Sequence, residues 1–304
     1  MRSAVTSLIK NGLHEIDFYH RRLRHDRFPG VAVLAYHGVR TDEVVCRQQP
    51  FKTLHVTAQQ LDSHCRLLRE TCHAISLAEW RSVQRGEAVL PHRPVLVTFD
   101  DGYRSVLRYA IPILRRHGIP AVVFVCSGPI EERCYFWFDA VARKKGEEAV
   151  EKMKDLPFDE WRSVCMHDSE FREDDSAAPL DFQELVDLSV EPGIEIGSHT
   201  ASHPILARAP RAIQYHQIVD DKARLEEWTG RPVTSFAYPN GRPGQDYTRE
   251  TVNLLAETGF TFAFTTQPGF ATADEARLEH SRFLMLSGVS DAELAHRLTF
   301  SWRR

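Results

Sequence analysis

Asp100 and Asp101 stand side by side, directly after the run Val95-Leu96-Val97-Thr98-Phe99 and directly before Gly102. Adjacent carboxylates repel each other unless a cation or a proton separates their roles, so the pair asks for a cation site elsewhere in the chain. The stretch EIGSHTASHPIL at 195–206 offers one, because His199 and His203 are four apart just past a strand-like segment. Two imidazoles at i and i+4 reach one metal if the turn between them is helical. In a chain with 15 histidines this spacing says little by itself. Beside a strand-end Asp-Asp pair it points to a metal.

These residues need elements to position them. Residues 95–99 read as a strand buried on both faces, which puts the aspartates at its C-terminal end, where α/β proteins carry their chemistry. VAVLAYHG at 31–38 and AVVFV at 121–125 are further apolar strands, and 194–200, 233–239 and 261–266 continue the series. Between them the spacing predicts helices: one opened by Thr57 with Leu61, Leu67 and Leu68 inward, and one over 102–117 that Pro112 can kink. Two more helices are closed by Gly230 and Gly259. Strand and helix alternating in this way means parallel strands with crossover helices. Periodicity leaves a barrel and an open sheet equally open. Residues 130–190 break the rhythm as a helical insertion with a charged loop, HDSEFREDDSAAP, and a helix capped by Asp181.

A chain of 304 residues with 42% hydrophobic and 26% charged residues can bury a sizeable core, and a net charge of −4 gives no sign of a nucleic-acid partner. No apolar run approaches the roughly 20 residues of a transmembrane helix. The N-terminus lacks the apolar core of a secretory signal, which sets a cytoplasmic location as the expectation. Residues 8–24 pattern as one amphipathic helix, with Leu8, Ile9, Leu13, Ile16 and Leu23 on one side. A helix capping the bottom of the domain is the first reading, and membrane association the alternative. Cys65 and Cys72, seven apart on a helix, are about 10 Å apart by helical rise and cannot bridge. Cys46, Cys126, Cys134 and Cys165 show no paired metal spacing, so reduced thiols are expected.

TFDDG at 98–102, SHTASH at 198–203 and FAYPNG at 236–241 together resemble the polysaccharide deacetylases, carbohydrate esterase family 4 with its NodB-homology domain. The resemblance runs from about residue 31 to 290. It implies an α/β fold, an irregular (β/α)7-type barrel, with residues 1–30 as a helical extension and 291–304 as a C-terminal helix. It also implies a divalent metal, Zn2+ first and Co2+ or Ni2+ as alternatives, held by Asp101, His199 and His203, with Asp100 as catalytic base. The third motif implies a backbone N–H from Asn240 for the oxyanion, and Tyr238 in the same motif is expected at the substrate. The residues suit this division of labour: three protein ligands leave room for water, and a neighbouring carboxylate can take its proton.

Two positions depart from the family pattern. The third motif usually carries an arginine that orients the base, and Ala237 stands there; Arg282 is a candidate substitute from another strand. Many members end in Leu-x-Leu-His with a catalytic acid, and Ser287 occupies that place here. His37, in LAYHGV, resembles the early histidine that acts as the acid in the poly-N-acetylglucosamine deacetylase branch, with His280 second. Among the aromatics at 135–138, Trp137 is the candidate for walling a sugar groove. The implied function is removal of N-acetyl groups from an N-acetylated sugar, glycan or precursor. The alternatives are the same chemistry on an O-acetyl ester, an N-formyl group or a non-sugar amide, and a carbohydrate-binding pseudoenzyme.

Overall fold

The computed structural model describes residues 2–41, 50–165, 175 and 177–301. Its strands are β1 (Gly30–Tyr36), β2 (Val39–Arg40), β3 (Val56–Thr57), β4 (His73–Ala74), β5 (Pro94–Phe99), β6 (Ala121–Val125), β7 (Ile194–Ser198), β8 (Ser235–Ala237), β9 (Phe262–Phe264), β10 (Ala271–Thr272) and β11 (Phe283–Leu284). The helices before the insertion are α1 (Arg2–Glu15), α2 (Phe18–His25), α3 (Ala58–Thr71), α4 (Leu77–Gln84) and α5 (Ile111–His117). The insertion carries α6 (Ser127–Glu132), α7 (Trp137–Lys145), α8 (Glu147–Lys154), α9 (Phe158–Cys165) and α10 (Phe182–Ser189). The chain then adds α11 (Arg211–Thr229), α12 (Arg249–Glu257) and α13 (Asp291–Phe300).

The main sheet runs β10-β1-β5-β6-β7-β8-β9, parallel from β1 to β9, with β10 antiparallel on β1. Apolar and β-branched residues fill β1, β5 and β6 because each is buried on both faces. The segment 277–284 joins the sheet's two edges: His280 bridges Phe264 beside β9, while β11 pairs in parallel with β1. The result is a curled (β/α) sheet of barrel type, wrapped by helices. Parallel strands bring their C-terminal ends to one rim, so residues just past β1, β5, β7 and β8 face one another there.

Local chemistry explains several helix ends. Thr57 caps α3 by accepting from the Gln60 N–H at 3.0 Å, and Asp181 and Glu184 close a capping box on α10. The helix expected over 102–117 runs unbroken over 104–117, but its winding changes within it. A π-helical stretch, Val106–Ala110, precedes α5, and Pro112 sits in the first turn of α5. Proline lacks the N–H that would close an i→i−4 bond, and the wider turn accommodates that loss.

The N-terminal segment also differs from expectation. It is two helices broken at Asp17, whose φ is 58°, and not one amphipathic helix. Leu23 is buried and Leu13 packs on the core, but Leu8, Ile9 and Ile16 are exposed. Tyr19 and Phe18 dock the pair onto α13 through His296 and Phe300. No helix among the described residues is long and apolar enough to cross a membrane. Cys65, Cys72, Cys126 and Cys134 are free thiols. Cys46, the Cys165 side chain and most of the charged loop at 167–179 lie outside the described residues.

Candidate active site

The rim gathers Asp101 from β5 with His199 and His203 from the loop after β7. One ligand atom from each lies within 4.8 Å of the others, and all three residues are buried. Asp101 Oδ1 stands 3.4 Å from His199 Nε2 and 3.5 Å from His203 Nε2. It makes no hydrogen bond, an expensive state for a buried carboxylate oxygen unless something else binds there. His199 Nδ1 is 2.7 Å from the Ala237 carbonyl at the end of β8. That contact makes Nδ1–H the donor and leaves Nε2, which faces Asp101, as the ring atom available to a metal. The donor set and its supporting bond fit a divalent cation.

Backbone strain concentrates at this rim. Asp101, Thr200, His203 and Asn240 all have left-handed φ, between 56° and 74°. For L-residues this conformation costs roughly 1–2 kcal/mol each, least for Asp and Asn. At Thr200 and His203 the turn is held by the His203 N–H donating to Thr200 Oγ1 at 3.0 Å. It brings both imidazoles to the same side, 4.9 Å apart by ring centroid.

Asp100 has a different partner. Arg282, fully buried, grips it in a bidentate pair: Nη1 to Oδ1 at 2.7 Å and Nη2 to Oδ2 at 2.8 Å. The guanidinium is itself fixed by Nε–H donating to the Thr265 carbonyl at 2.8 Å. Burial pushes the Asp100 carboxyl up, but Arg282, His199 and His37 outweigh this and hold it below its ordinary value. Asp101 is held low as well: burial pushes its carboxyl up, and the imidazoles of His199, His37 and His203 gathered around it more than offset this. Burial pushes His203 down to about 3, so its imidazole is neutral.

His37 is the first residue after β1, near enough for its charge to be felt at both aspartates. Its Nδ1 has no hydrogen-bond partner. Beneath the His37–Gly38 turn lies the buried ring of His55, and a Cβ on Gly38 would meet His55 Nδ1 at 2.0 Å, so only glycine fits. Asn240 sits three residues after the carbonyl that holds His199, and no acceptor among the described residues takes its N–H.

Other expectations fare differently. Tyr238 does not reach a substrate surface: its ring is fully buried, stacked on Tyr247 at 3.7 Å, and its hydroxyl donates to the Leu278 carbonyl at 2.8 Å. Strand alternation explains this, because Tyr238 turns with Phe236 into one part of the core, against Tyr247, while Ala237 between them faces the other. Trp137 is also buried, with its indole N–H donating to the His203 carbonyl at 2.9 Å. It supports the ligand loop from behind, and its small exposed edge lines a cavity with Tyr135 and Trp161. His280 packs among Trp80, Phe262 and Phe264, in a separate part of the core.

Sequence reasoning missed Asp139. It lies on α7, buried, with Oδ2 accepting from Tyr103 Oη at 2.9 Å and Oδ1 without a partner. Burial first, and then the charge of Asp101, push its carboxyl up to about 8. Burial likewise pushes His55 down to about 3, and neither of its ring nitrogens has a hydrogen-bond partner. The signal for Asp139 was a lone carboxylate closing the apolar run Phe136-Trp137-Phe138.

Comparison with known proteins places this arrangement. The family model for polysaccharide deacetylase matches residues 88–263, more than half of the chain. The chain belongs to the polysaccharide deacetylase family. YxkH of Bacillus subtilis (strain 168), assigned by name to the same family, is 22% identical over 259 residues, covering 85% of this chain and 72% of that protein. The poly-beta-1,6-N-acetyl-D-glucosamine N-deacetylase of Escherichia coli (strain K12) is 32% identical over 139 residues, 44% of this chain and 18% of that much longer protein. The deacetylase PplD of Streptococcus pyogenes, solved with acetate, superposes with a TM-score of 0.66 at 20% identity, covering 89% of this chain and 99% of that one. IcaB of Ammonifex degensii gives 0.64 at 20% identity over 90% and 99%. These structural likenesses establish the shared fold of this polysaccharide deacetylase.

Proposed function

We propose that this polysaccharide deacetylase is a metal-dependent hydrolase that removes N-acetyl groups from an N-acetylated sugar within a glycan or its precursor. The observation that carries the reading is the pairing of the Asp101–His199–His203 cluster with an adjacent aspartate kept ionised by a bidentate arginine. The relative of Escherichia coli named for poly-N-acetylglucosamine deacetylation supports the sugar class. A divalent cation held by Asp101, His199 and His203, zinc by the nature of the donors, would supply Lewis acidity toward the acyl oxygen and acidify water.

The chain's own residues do the rest. Asp100 accepts a proton from the water that attacks the acetyl carbon, and its low pKa keeps it ready as a base at neutral pH. Arg282 fixes the orientation of both carboxylate oxygens. As the C–O bond forms, charge develops on the acyl oxygen, and the Asn240 N–H is positioned to donate to it. His37 hands a proton to the nitrogen as the C–N bond breaks, so the amine departs neutral and acetate remains.

Acid release by the zinc-loaded chain tests this reading: acetate from β-linked N-acetylglucosamine oligomers is compared with acetate from O-acetylated sugars and formate from an N-formyl analogue. Release from the N-acetyl oligomers above the others is expected. Turnover confined to the ester would reassign the substrate and leave the metal chemistry in place.

A further inference from the structure

Helix α11 belongs to none of the three motifs, yet it holds the metal loop from behind. Asp221, fully buried on its inner face, accepts hydrogen bonds from three elements at once. The Ser127 N–H, first in the insertion, donates to Oδ1 at 2.8 Å. The Ser198 hydroxyl, at the end of β7, donates to Oδ2 at 2.5 Å. The His199 N–H reaches the same Oδ2 at 3.3 Å, sharing its proton with the Val125 carbonyl at 3.0 Å. One turn earlier, Gln217 Oε1 accepts from the Ser202 N–H at 2.9 Å and its hydroxyl at 3.0 Å, and the Gln217 carbonyl takes the Ala201 N–H at 2.9 Å. On the opposite side, the Gly128 N–H donates to the Ala201 carbonyl at 2.8 Å, an approach so close that a Cβ on Gly128 would meet that oxygen at 2.5 Å.

A carboxylate suits this position for a chemical reason. It is an acceptor at both oxygens and can take several donors together, whereas an amide would turn an N–H toward one of them. Ligand loops must be held within about half an ångström to bind well, and residues outside the coordination sphere supply that restraint. His199 and His203 are separated by three residues, and Gln217 and Asp221 hold two of these and both residues at the loop's start.

We propose that Asp221 is a positioning residue of the metal centre, which keeps the His199–His203 loop in ligand geometry and ties it to the insertion after β6. This rests on the metal reading above. It also makes the insertion part of the metal centre's support.

Zinc affinity, measured on the full chain by competition with a chromophoric chelator, tests the proposal without any substrate. Asp221→Asn is expected to weaken zinc binding about 10–100-fold, the usual scale for residues that support a ligand from outside the coordination sphere. Ser198→Ala, which removes one of the three donors, is expected to weaken it less. Leu298→Ala, in the core of α13, is the control: it should lower the thermal midpoint and leave zinc affinity unchanged. If Asp221→Asn does not fold, Ser198→Ala still decides, because unchanged affinity there with a lowered midpoint would overturn the proposal. Wild-type affinity in a folded Asp221→Asn would overturn it equally. A wild-type chain that takes up no zinc would instead overturn the metal reading itself.

Discussion

Two buried aspartates flank the candidate metal ligand Asp101, one from the sheet and one from the insertion, and they carry opposite charge states. Asp100, at the end of β5, is gripped by Arg282 and held below its ordinary pKa. Asp139, on α7, has only the Tyr103 hydroxyl and is pushed up to about 8. Burial is nearly complete for both. The difference teaches that the partner, and not the depth, decides whether a buried carboxyl serves as a base or stays a neutral acid. A second acid left ionised so near Asp101 and Asp100 would crowd three negative charges around one cation.

Breaking the ionised side has the largest expected effect. Asp100→Asn should lower turnover about 10²–10⁴-fold, the range for a lost general base, with zinc still bound. His37→Ala should cost a comparable factor in the slow, amine-releasing step and relatively less on a substrate with a good leaving group; equal losses on both would remove His37 as the acid.

Arg282→Lys comes next, at about 10–100-fold, the equivalent of one charge-assisted hydrogen bond. It should also shift the acid limb of the kcat/KM profile to higher pH, because Arg282 is what holds the Asp100 pKa down. An unshifted limb would mean that Arg282 only packs.

Asp139→Asn sharpens the other side of the comparison. A carboxyl whose folded pKa is raised from 3.8 to about 8 binds a proton in the folded state that the unfolded chain has lost, so wild-type stability falls as pH rises across that window. The thermal midpoint of Asp139→Asn relative to wild type should therefore climb between pH 5 and pH 8 and level off above. A difference constant with pH would show Asp139 ionised throughout. The smallest effect belongs to Trp137→Phe, which removes the bond to the His203 carbonyl at a cost of about 1 kcal/mol.

Much of this arrangement was legible in the chain. The run before Asp100 and the spacing of His199 and His203 are local patterns, and a parallel sheet brings strand ends to one rim whatever its closure. Arg282 was a candidate only, because its pairing depends on 277–284 crossing from β9 to β1, a contact 182 residues from Asp100 in sequence. Tyr238 was misread because a motif gives proximity along the chain and not side-chain direction, and the depth of Trp137 was hidden because aromatic composition does not reveal burial. Asp139, Asp221 and Gln217 lie on helices with no chemical motif, and only tertiary packing shows what they face. The break at Asp17 was hidden because apolar periodicity continues through it.

Acetate release from N-acetylglucosamine oligomers by stripped wild type, zinc-reloaded wild type and zinc-loaded Asp100→Asn tests the central claim most directly. The account predicts acetate from the reloaded wild type alone. Equal release from the stripped and reloaded chains, or from Asp100→Asn at the wild-type rate, would contradict it.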